Sequence, residues 1–507
     1  MEFLHKQIRF LFCQRNLLIK PKINKIHRLI VPSELDGIKK TLFPLLDTDY
    51  PSQDLCLNIR NDIINKHSIT EHAVDIKILE IFMLEQKYET ASVYFRCLKS
   101  KNYPLSNFVL IKYLELLSAN PKKISNFEEE EILHICDVIK KEYDHIPSMI
   151  LFTCIQALCL TSKWETIFEL IKCNDIEDIN LKVISFVALA AFRNGKPNIG
   201  FEFLDRIEYN NRDMHQRDYI YNQYLNYYTT HKNDELNDAI ERMFHFWRKH
   251  DIIPNKSIIN TFIDACQKLG WEAHPVQITP DGQCDYCHNH LSPLVLQNNF
   301  HKLFKSVLSK VIIGDDIFQK TTPSEFYQFN QFIDKTKPYD IVIDGLNIAY
   351  SIKQNFLMYN IILQLPKKYN KILIITRKHH HKSMKWLLQL DNVVIYYLNN
   401  ITEDDPYILY AALASGIETK FLSLDQQRQH YHKLKNVNLQ KAFIRWQFSH
   451  QYTWTRVDSK KSALIDPISY NPFPQVKNGL WHISYRESNK SLHRPPKNWV
   501  CLHRPRK

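Results

Sequence analysis

The chain has 507 residues, 44% hydrophobic and 12% aromatic, so it can bury a core in two or three domains and does not belong to the disordered class. Its 66 Lys and Arg residues exceed its 54 Asp and Glu residues by a formal +12, a mild excess that favours a polyanionic partner. The chain has only 9 glycines, which argues against P-loop and Rossmann enzymes because these need glycine-rich loops. Its 11 cysteines suggest free thiols or metal ligands. No apolar run approaches the ~20 residues of a membrane span.

Residues 1–33 contain one acid, Glu2, and seven Lys or Arg residues interleaved with apolar side chains. A basic, acid-poor, amphipathic segment of this kind is typical of a mitochondrial transit peptide. A basic arm that contacts RNA is the alternative. The transit interpretation predicts a protein of the mitochondrial matrix whose first 33 residues are not part of the fold.

Helical patterns run from 70 to 270 with almost no glycine. Five similar segments have spacings of 41, 35, 33 and 39 residues when they are anchored on Ala91, Ile132, Ile167, Gly200 and Ala239. Three of the anchors are followed by a proline, namely Pro104, Pro147 and Pro254. This period predicts an α-solenoid of stacked helical hairpins. The stretch 91–117 resembles a pentatricopeptide repeat, which usually binds RNA, while a tetratricopeptide-like protein scaffold is the alternative.

A C-x-x-C pair, Cys284 and Cys287, follows the helical region and is half of a zinc site, or alternatively a redox pair. In the C-terminal stretch, His482 and Cys501 each follow a tryptophan by one or two positions and are candidates for the other half. Spacing leaves other candidates open: His288, His290, His493 and His503. A Cys3His site that joined both stretches would be structural, since it has no open position for catalysis.

Four short apolar runs between 339 and 425 alternate with helical patterns near 351–365, 382–390, 406–416 and 427–446. This order predicts a parallel, doubly wound sheet that binds ligands at the carboxyl ends of its strands. Asp344 ends the first run and Asp425 the last, and Asp404 and Asp405 precede the helix after the third. The structural alternative for the acid pair is a helix start, with Asp405 as the N-cap ahead of proline.

Three segments would therefore bring carboxylates to one edge of one sheet. Adjacent carboxylates repel each other, so a divalent metal is their natural partner, and oxygen ligands suit Mg²⁺ or Mn²⁺. One or two such ions suit phosphodiester hydrolysis, because the metal lowers the pKa of a bound water and neutralises charge on the leaving oxygen.

A series of motifs behind the repeats and the C-x-x-C pair resembles the protein-only RNase P family, and within it the metazoan mitochondrial enzymes: IDGLNIAY, EDDPYILYAAL, SLDQQRQH, RWQFSHQ and WHI…WVC. The similarity covers about residues 70 to 507. It implies an endoribonuclease that removes the 5′ leader of mitochondrial precursor tRNAs and leaves 5′-phosphate and 3′-hydroxyl ends. It also implies a metallonuclease domain of the NYN type, related to PIN domains.

The resemblance implies roles position by position. One or two catalytic Mg²⁺ or Mn²⁺ ions fall to Asp344, Asp404, Asp405 and Asp425, and one structural Zn²⁺ falls to Cys284, Cys287, His482 and Cys501. Asn347 and His430 become neighbours of the active site, with a purely structural role equally open for each. The family motif after Asp425 ends in Arg-Asp-His, whereas this chain has Gln429 at the second place, so an outer-sphere role there is in doubt.

The resulting prediction is a multidomain chain: a transit peptide (1–33), a pentatricopeptide-repeat α-solenoid (70–270), a central zinc-binding domain (271–335 and 470–507) and an α/β NYN nuclease domain (336–469). Besides precursor tRNA, the resemblance implies a tRNA methyltransferase and a short-chain dehydrogenase as partners. Two alternatives remain, an RNA-binding repeat protein with an inactive nuclease domain and an NYN endoribonuclease of broader RNA range.

Overall fold

The structure, a computed structural model, describes residues 32–505 except 49, 102, 104, 121–123, 174–180, 210–213, 297–299, 308–321, 347–364, 366–367, 401, 403, 435, 457–461 and 488–492. The predicted transit segment lies almost wholly outside these residues. Contacts divide the chain into two compact units, Met1–Ile207 and Glu208–Lys507. No helix in the described part is both long and apolar enough to cross a membrane.

The first unit consists of helices in its described part. A capping box begins α6, where Ser125 Oγ accepts from Glu128 N and the Glu128 carboxylate accepts from Ser125 N. The helices are α1 (Pro32–Leu46), α2 (Gln53–His67), α3 (Glu71–Leu84), α4 (Tyr88–Ser100), α5 (Asn107–Ala119), α6 (Asn126–Glu142), α7 (Ser148–Leu158), α8 (Ile167–Cys173), α9 (Leu181–Arg193) and α10 (Pro197–Tyr209), at whose end the division falls.

Alternate helices of this unit stack into one layer, with α3 on α5, α5 on α7 and α7 on α9. The four repeat anchors in this part of the chain all lie on the intervening helices α4, α6, α8 and α10. Pro147 directly precedes α7, as the repeat pattern requires. Gly200 on α10 packs so closely on α9 that an added Cβ would lie 2.4 Å from the Phe192 ring. The predicted helical repeat region is confirmed.

The second unit begins with three mutually packed helices, α11 (Met214–His231), α12 (Leu236–His250) and α13 (Lys256–Lys268). The last repeat anchor, Ala239, lies on α12, and Pro254 precedes α13. Gly270, at φ +82°, leads out of this helical region into the first strand.

An antiparallel sheet of four strands joins two distant parts of the sequence. Its spatial order is β1-β10-β9-β8. The strands are β1 (Glu272–Val276), β8 (Gln475–Lys477), β9 (Leu480–Tyr485) and β10 (Asn498–His503). Residues just after the helical region therefore pair with residues near the C-terminus, as the predicted central domain requires, although its boundaries stay a prediction.

A second sheet has six strands in the order β4-β3-β2-β5-β6-β7. The strands from β4 to β6 are parallel, and β7 is antiparallel to β6. Their bounds are β2 (Ile341–Asp344), β3 (Ile372–Arg377), β4 (Val393–Leu398), β5 (Lys420–Leu422), β6 (Gln451–Arg456) and β7 (Ser462–Ile465). The four predicted strands are all present and parallel, whereas β6 and β7 were not predicted.

Apolar clusters cover both faces of this sheet. One contains Phe329, Tyr407 and Trp446, and the other contains Met384 and Leu387. The helices of this region are α14 (Phe300–Val307), α15 (Pro323–Thr336), α16 (His381–Met384), α17 (Asp405–Ser415), α18 (Arg428–Lys433) and α19 (Val437–His450). The helix predicted at 351–365 falls, except for Leu365, on residues outside those that the structure describes.

Two predicted helix limits need correction. The single helix predicted at 427–446 is two helices, because the Asn436 side chain accepts from the backbone N–H of Asn438 and Leu439 and caps a new helix. Asp405 is not the N-cap of α17 but its first residue. Asp404 occupies the cap position without a side-chain cap hydrogen bond, and its carboxylate lies beside a guanidinium instead.

Candidate metal centres

The first candidate centre lies where the C-x-x-C turn meets the antiparallel sheet. The turn is closed by a hydrogen bond from His288 N to Cys284 O, so that both cysteines face the same side. His482 on β9 and Cys501 on β10 are directly opposite each other in the strand register. The sheet therefore presents two ligands to the two that the turn provides.

The four predicted zinc ligands form one compact group. The ligand atoms of Cys284, Cys287, His482 and Cys501 all lie within 4.8 Å of one another. His482 Nε2 is 3.1 Å from Cys287 Sγ and 3.6 Å from Cys501 Sγ. Tyr470 and Trp499 belong to the same apolar cluster, which keeps the group away from solvent. Three thiols and one imidazole are the donor set of a closed, structural zinc site.

Burial sets the protonation of these groups. Burial, followed by the charge of His503, lowers the pKa of His482 to about 4, so its imidazole is neutral and able to bind a metal at physiological pH. Burial and the neighbouring thiols raise the pKa of the Cys501 thiol, and burial raises that of Cys284. A cation is therefore needed to stabilise the thiolates, as a bound zinc ion does.

The competing histidines fall outside this group. His288 and His290 are exposed, and His290 lies 3.8 Å from the carboxylate of Asp281. His493 Nδ1 lies 3.3 Å from Gln447 Oε1 on the nuclease side. His503 comes nearest, with Nε2 3.4 Å from Cys501 Sγ, but its ring packs against Tyr286 and it is not one of the four mutually close ligands.

The second candidate centre is the carboxyl edge of the parallel sheet. Asp344 is the last residue of β2, Asp425 follows β5, and Asp404 and Asp405 lie where α17 begins after β4. The sheet order places β2 beside β5, so Asp344 and the segment with Asp425 leave the sheet next to each other. Asp344 is only 1% exposed, whereas Asp425 faces solvent.

Polar side chains connect three of these aspartates. Ser423 Oγ donates to Asp344 Oδ2 at 3.0 Å and accepts from Asp425 N at 3.1 Å. Gln427 N donates to Asp425 Oδ1 at 2.5 Å, while Gln427 Nε2 donates to Asp405 Oδ1 at 3.3 Å. The turn 423–427 thus holds carboxylates from three segments of the chain.

The four carboxylates lie at the same edge of the sheet but are less tightly grouped than the zinc ligands. Among the described residues, the aspartates do not form a group of three whose oxygens all lie within 4.8 Å. Arg377 Nη2 at the end of β3 lies 3.5 Å from Asp404 Oδ1 and offsets part of the negative charge. Oxygen-only donors at this edge fit a hard cation such as Mg²⁺.

The structure tells less about Asn347, His430 and Gln429, the other residues discussed near the active site. Asn347 lies outside the described residues. His430 is buried on α18, and burial lowers its pKa to about 4, so that its ring is neutral. Gln429 on the same helix is exposed, and the described structure shows no hydrogen bond from it to the aspartates.

Sequence reasoning missed the residues that support the aspartates. Ser423, Gln427, Gln447 and Gln451 all hydrogen-bond around the turn 423–427. Two of the glutamines lie in the RWQFSHQ motif that contributed to the family resemblance, but a motif without a fold does not show what its amides contact. Arg377 could have been noticed as a cation at the end of a predicted strand.

A basic run extends along the same sheet edge. Arg377 is followed by five consecutive Lys or His residues, ending at Lys382. Lys378 Nζ donates to Asn399 Oδ1 at 2.6 Å, and His379 N donates to Asn400 Oδ1 at 3.1 Å, so the residues after β4 fix this loop. Lys378 and Lys382 remain exposed.

Comparisons with known proteins agree with this architecture. Residues 278–501 match the family model described as protein-only RNase P. The mitochondrial ribonuclease P catalytic subunit of Mus musculus is 31% identical over 290 residues, which are 54% of this chain and 49% of that protein. Proteinaceous RNase P 3 of Arabidopsis thaliana is 23% identical over 46% of this chain and 43% of its own length. The chain spans about half the length of the curated relatives it matches.

A solved structure supports the fold. The crystal structure of nuclear proteinaceous RNase P 2 from A. thaliana matches with a TM-score of 0.59, covering 86% of this chain and 100% of that chain. Its sequence identity is 15%, so this match concerns the fold alone. The match of residues 278–501 to the family model agrees with the resemblance that the motifs predicted, so this part of the chain is similar to protein-only RNase P.

Proposed function

We propose that this chain is a metal-dependent endoribonuclease that removes the 5′ leader of mitochondrial precursor tRNAs. The observation that carries the proposal is the meeting of Asp344, Asp404, Asp405 and Asp425 at the carboxyl edge of one parallel sheet. The matched relatives from Mus musculus and Rattus norvegicus are named mitochondrial ribonuclease P catalytic subunits, which supports the reaction class and the compartment.

The four aspartates would hold one or two Mg²⁺ or Mn²⁺ ions. A bound ion would supply a water of lowered pKa and neutralise charge on the leaving oxygen. Asp344 suits this role because it is buried and oriented by Ser423. The zinc group would have a different task, since its four ligands leave no open position and it ties the C-x-x-C turn to the C-terminal strands.

The reaction that follows is hydrolysis of one phosphodiester bond. Water adds to phosphorus and the bond to the 3′ oxygen of the leader breaks, so that the leader keeps a 3′-hydroxyl and the tRNA keeps a 5′-phosphate. The aspartates and their supporting amides hold the reacting groups in place, and no serine, cysteine or histidine nucleophile is needed.

The decisive experiment uses a mitochondrial precursor tRNA with a 5′ leader. The full chain is incubated with Mg²⁺, with and without a tRNA methyltransferase and a short-chain dehydrogenase subunit, the two partners that we propose by family resemblance. We expect one cut at the mature 5′ end, with a 5′-phosphate on the tRNA, and faster cleavage when both partners are present.

Other results would support other functions. Binding without cleavage in every arm would favour an RNA-binding repeat protein whose nuclease domain is inactive. Equal cleavage of unstructured RNAs would favour an NYN endoribonuclease of broader range. Cleavage at the same rate without the partners would contradict the partner proposal while leaving the activity proposal intact.

The basic run from Arg377 to Lys382 predicts where the RNA backbone approaches. Replacing Lys378 and Lys382 by Ala should reduce the salt dependence of precursor binding, because each lost phosphate contact lowers the log–log slope by about 0.7 to 0.9. KM should rise more than kcat falls, since these cations bind RNA in the ground state and the transition state alike. Filter binding between low and moderate salt measures the slope.

A matched control removes the same charge from the opposite edge of the sheet. Lys335 and Lys337 are exposed and lie just before β2 begins, so their replacement by Ala should leave the salt slope unchanged. Equal slopes for the two double variants would show that the basic run does not contact RNA.

A further inference from the structure

Two glutamines of the RWQFSHQ motif hold the turn that carries Asp425. Gln447 is 1% exposed near the end of α19, and Gln451, one helical turn later, is the first residue of β6. Gln451 Nε2 donates to the carbonyl oxygens of Ser423 at 2.8 Å and Asp425 at 2.7 Å. Gln447 Nε2 donates to the carbonyl oxygen of Gln426 at 3.0 Å.

These bonds take the place of a strand ladder. The strand β5 ends at Leu422, whereas its parallel neighbour β6 continues to Arg456. Ser423 N still donates to Tyr452 O of β6 at 3.3 Å, and the carbonyl groups of the turn need other partners. The two side-chain amides bind the carbonyl groups of Ser423, Asp425 and Gln426, so the position of Asp425 depends on these side chains as well as on the sheet.

A contact with His493 orients the amide of Gln447, which in turn orients the amide of Gln451. The ring of His493 lies with Nδ1 3.3 Å from Gln447 Oε1, which directs Gln447 Nε2 towards the turn. The same Nε2 group donates to Gln451 Oε1 at 2.7 Å, and this contact directs Gln451 Nε2 to the carbonyls of Ser423 and Asp425. His493 belongs to the segment between β9 and β10, the two strands with zinc ligands.

The turn 423–427 also contacts two of the other aspartates. Ser423 Oγ reaches Asp344, and Gln427 reaches both Asp425 and Asp405. A shift of the turn would therefore move Asp425 and remove hydrogen bonds from two further carboxylates. Groups that orient metal ligands in this way commonly change metal affinity by about 10- to 100-fold when they are replaced.

We propose that Gln447 and Gln451 are positioning residues for the catalytic metal, holding Asp425 and its turn in the geometry that binds Mg²⁺. The proposal rests on the proposed metal role of the aspartates. Neither glutamine touches the metal or the RNA in this scheme, and both act only through the backbone of residues 423–426.

The test replaces Gln451 by Met, which keeps the length of the side chain but removes its amide. The zinc-loaded full chain is titrated with Mn²⁺, and free Mn²⁺ is followed by electron paramagnetic resonance. We expect about 10-fold weaker Mn²⁺ binding in Gln451→Met. The Mg²⁺ concentration for half-maximal cleavage should rise by a similar factor, with the rate partly restored at high Mg²⁺ and the affinity for precursor tRNA unchanged.

Gln440→Met is the matched control. Gln440 lies on α19, the helix that carries Gln447 and ends just before Gln451, and it donates to the carbonyl oxygen of Leu434 at 2.6 Å, a bond of the same kind that does not touch the Asp425 turn. Its replacement should change thermal stability as much as Gln451→Met does, without changing Mn²⁺ affinity. Asp344→Asn shows in the same titration which Mn²⁺ binding belongs to the aspartates.

Unchanged Mn²⁺ affinity in Gln451→Met, or an equal loss in Gln440→Met, would overturn the positioning role. So would a wild-type chain that binds no Mn²⁺ sensitive to Asp344→Asn. A wild-type chain that binds Mn²⁺ but cleaves no precursor tRNA would contradict the proposed function alone, because the Mn²⁺ titration still compares the variants.

Discussion

Asp404→Asn should lower the rate of precursor cleavage by about 10²-fold or more, while the chain stays folded and still binds precursor tRNA. The substitution nearly preserves the shape of the side chain but removes the charge that would hold Mg²⁺. Asp404 is 9% exposed and already faces a cation, Arg377, which shows that its surroundings accommodate a carboxylate paired with positive charge. Single-turnover cleavage and filter binding measure the two effects separately.

Variants of the other aspartates test the same prediction. Asp344→Asn and Asp425→Asn should show similar losses, and a double variant should lose far less than the product of the single losses, because the cluster acts as a unit. Excess Mn²⁺ should partly restore a single variant, since Mn²⁺ binds such donors more tightly than Mg²⁺. Asp466→Asn is the control. This exposed acid follows β7 and pairs with Lys368, which precedes β3 at the edge opposite the four aspartates.

One outcome would change the interpretation of the acid pair. If Asp404→Asn cut the precursor at the normal rate but unfolded at a lower temperature, Asp404 and Asp405 would serve only to start α17. The structure already shows that Asp404 makes no side-chain cap hydrogen bond, so the helix start alone gives a weak reason for a carboxylate there.

Local patterns were sufficient to predict the repeats and the parallel strands. The repeat anchors fell on alternate helices because each helical hairpin buries the same face, and a period of this kind survives in the sequence. The strands β2 to β5 were evident because they read as apolar runs, with β2 and β3 almost wholly buried and the edge strand β4 half-buried. By contrast, β6 and β7 were missed, since QYTWTR and SALI mix polar with apolar residues.

The candidate sites differ in how far the sequence could predict them. Aspartates at strand ends could be assigned to one edge because parallel strands share their direction. The residues that hold the aspartates could not be predicted, since Gln447 and Gln451 reach the turn 423–427 only in the folded chain, where β6 pairs with β5. Spacing alone left His503 open beside His482, which the family resemblance implied, and the strand register supports His482 because it places this residue directly opposite Cys501.

The zinc group is the element whose loss should most affect stability. It lies in an apolar cluster and connects a turn near residue 285 to two strands near the C-terminus, so it closes a loop of about 200 residues. Without zinc, burial would keep the Cys284 and Cys501 thiols protonated and the His482 imidazole neutral, and these three polar groups would remain buried with poor partners. We therefore expect metal binding and folding of this region to be coupled.

Cys501→Ser should reduce the zinc content from one ion per chain towards zero and lower the free energy of unfolding by about 5 kcal/mol or more, roughly 10 °C in melting temperature. Cys266→Ser, the same change at a buried cysteine on α13, should cost about 2 kcal/mol or less and retain the zinc. His482→Ala should release zinc, whereas His503→Ala should keep it, because only His482 lies within reach of all three sulfurs. Metal analysis of the purified chains and thermal unfolding measure both effects. Full zinc content in both Cys501→Ser and His482→Ala would exclude this ligand set, and loss of zinc in His503→Ala alone would assign the fourth ligand to His503 instead.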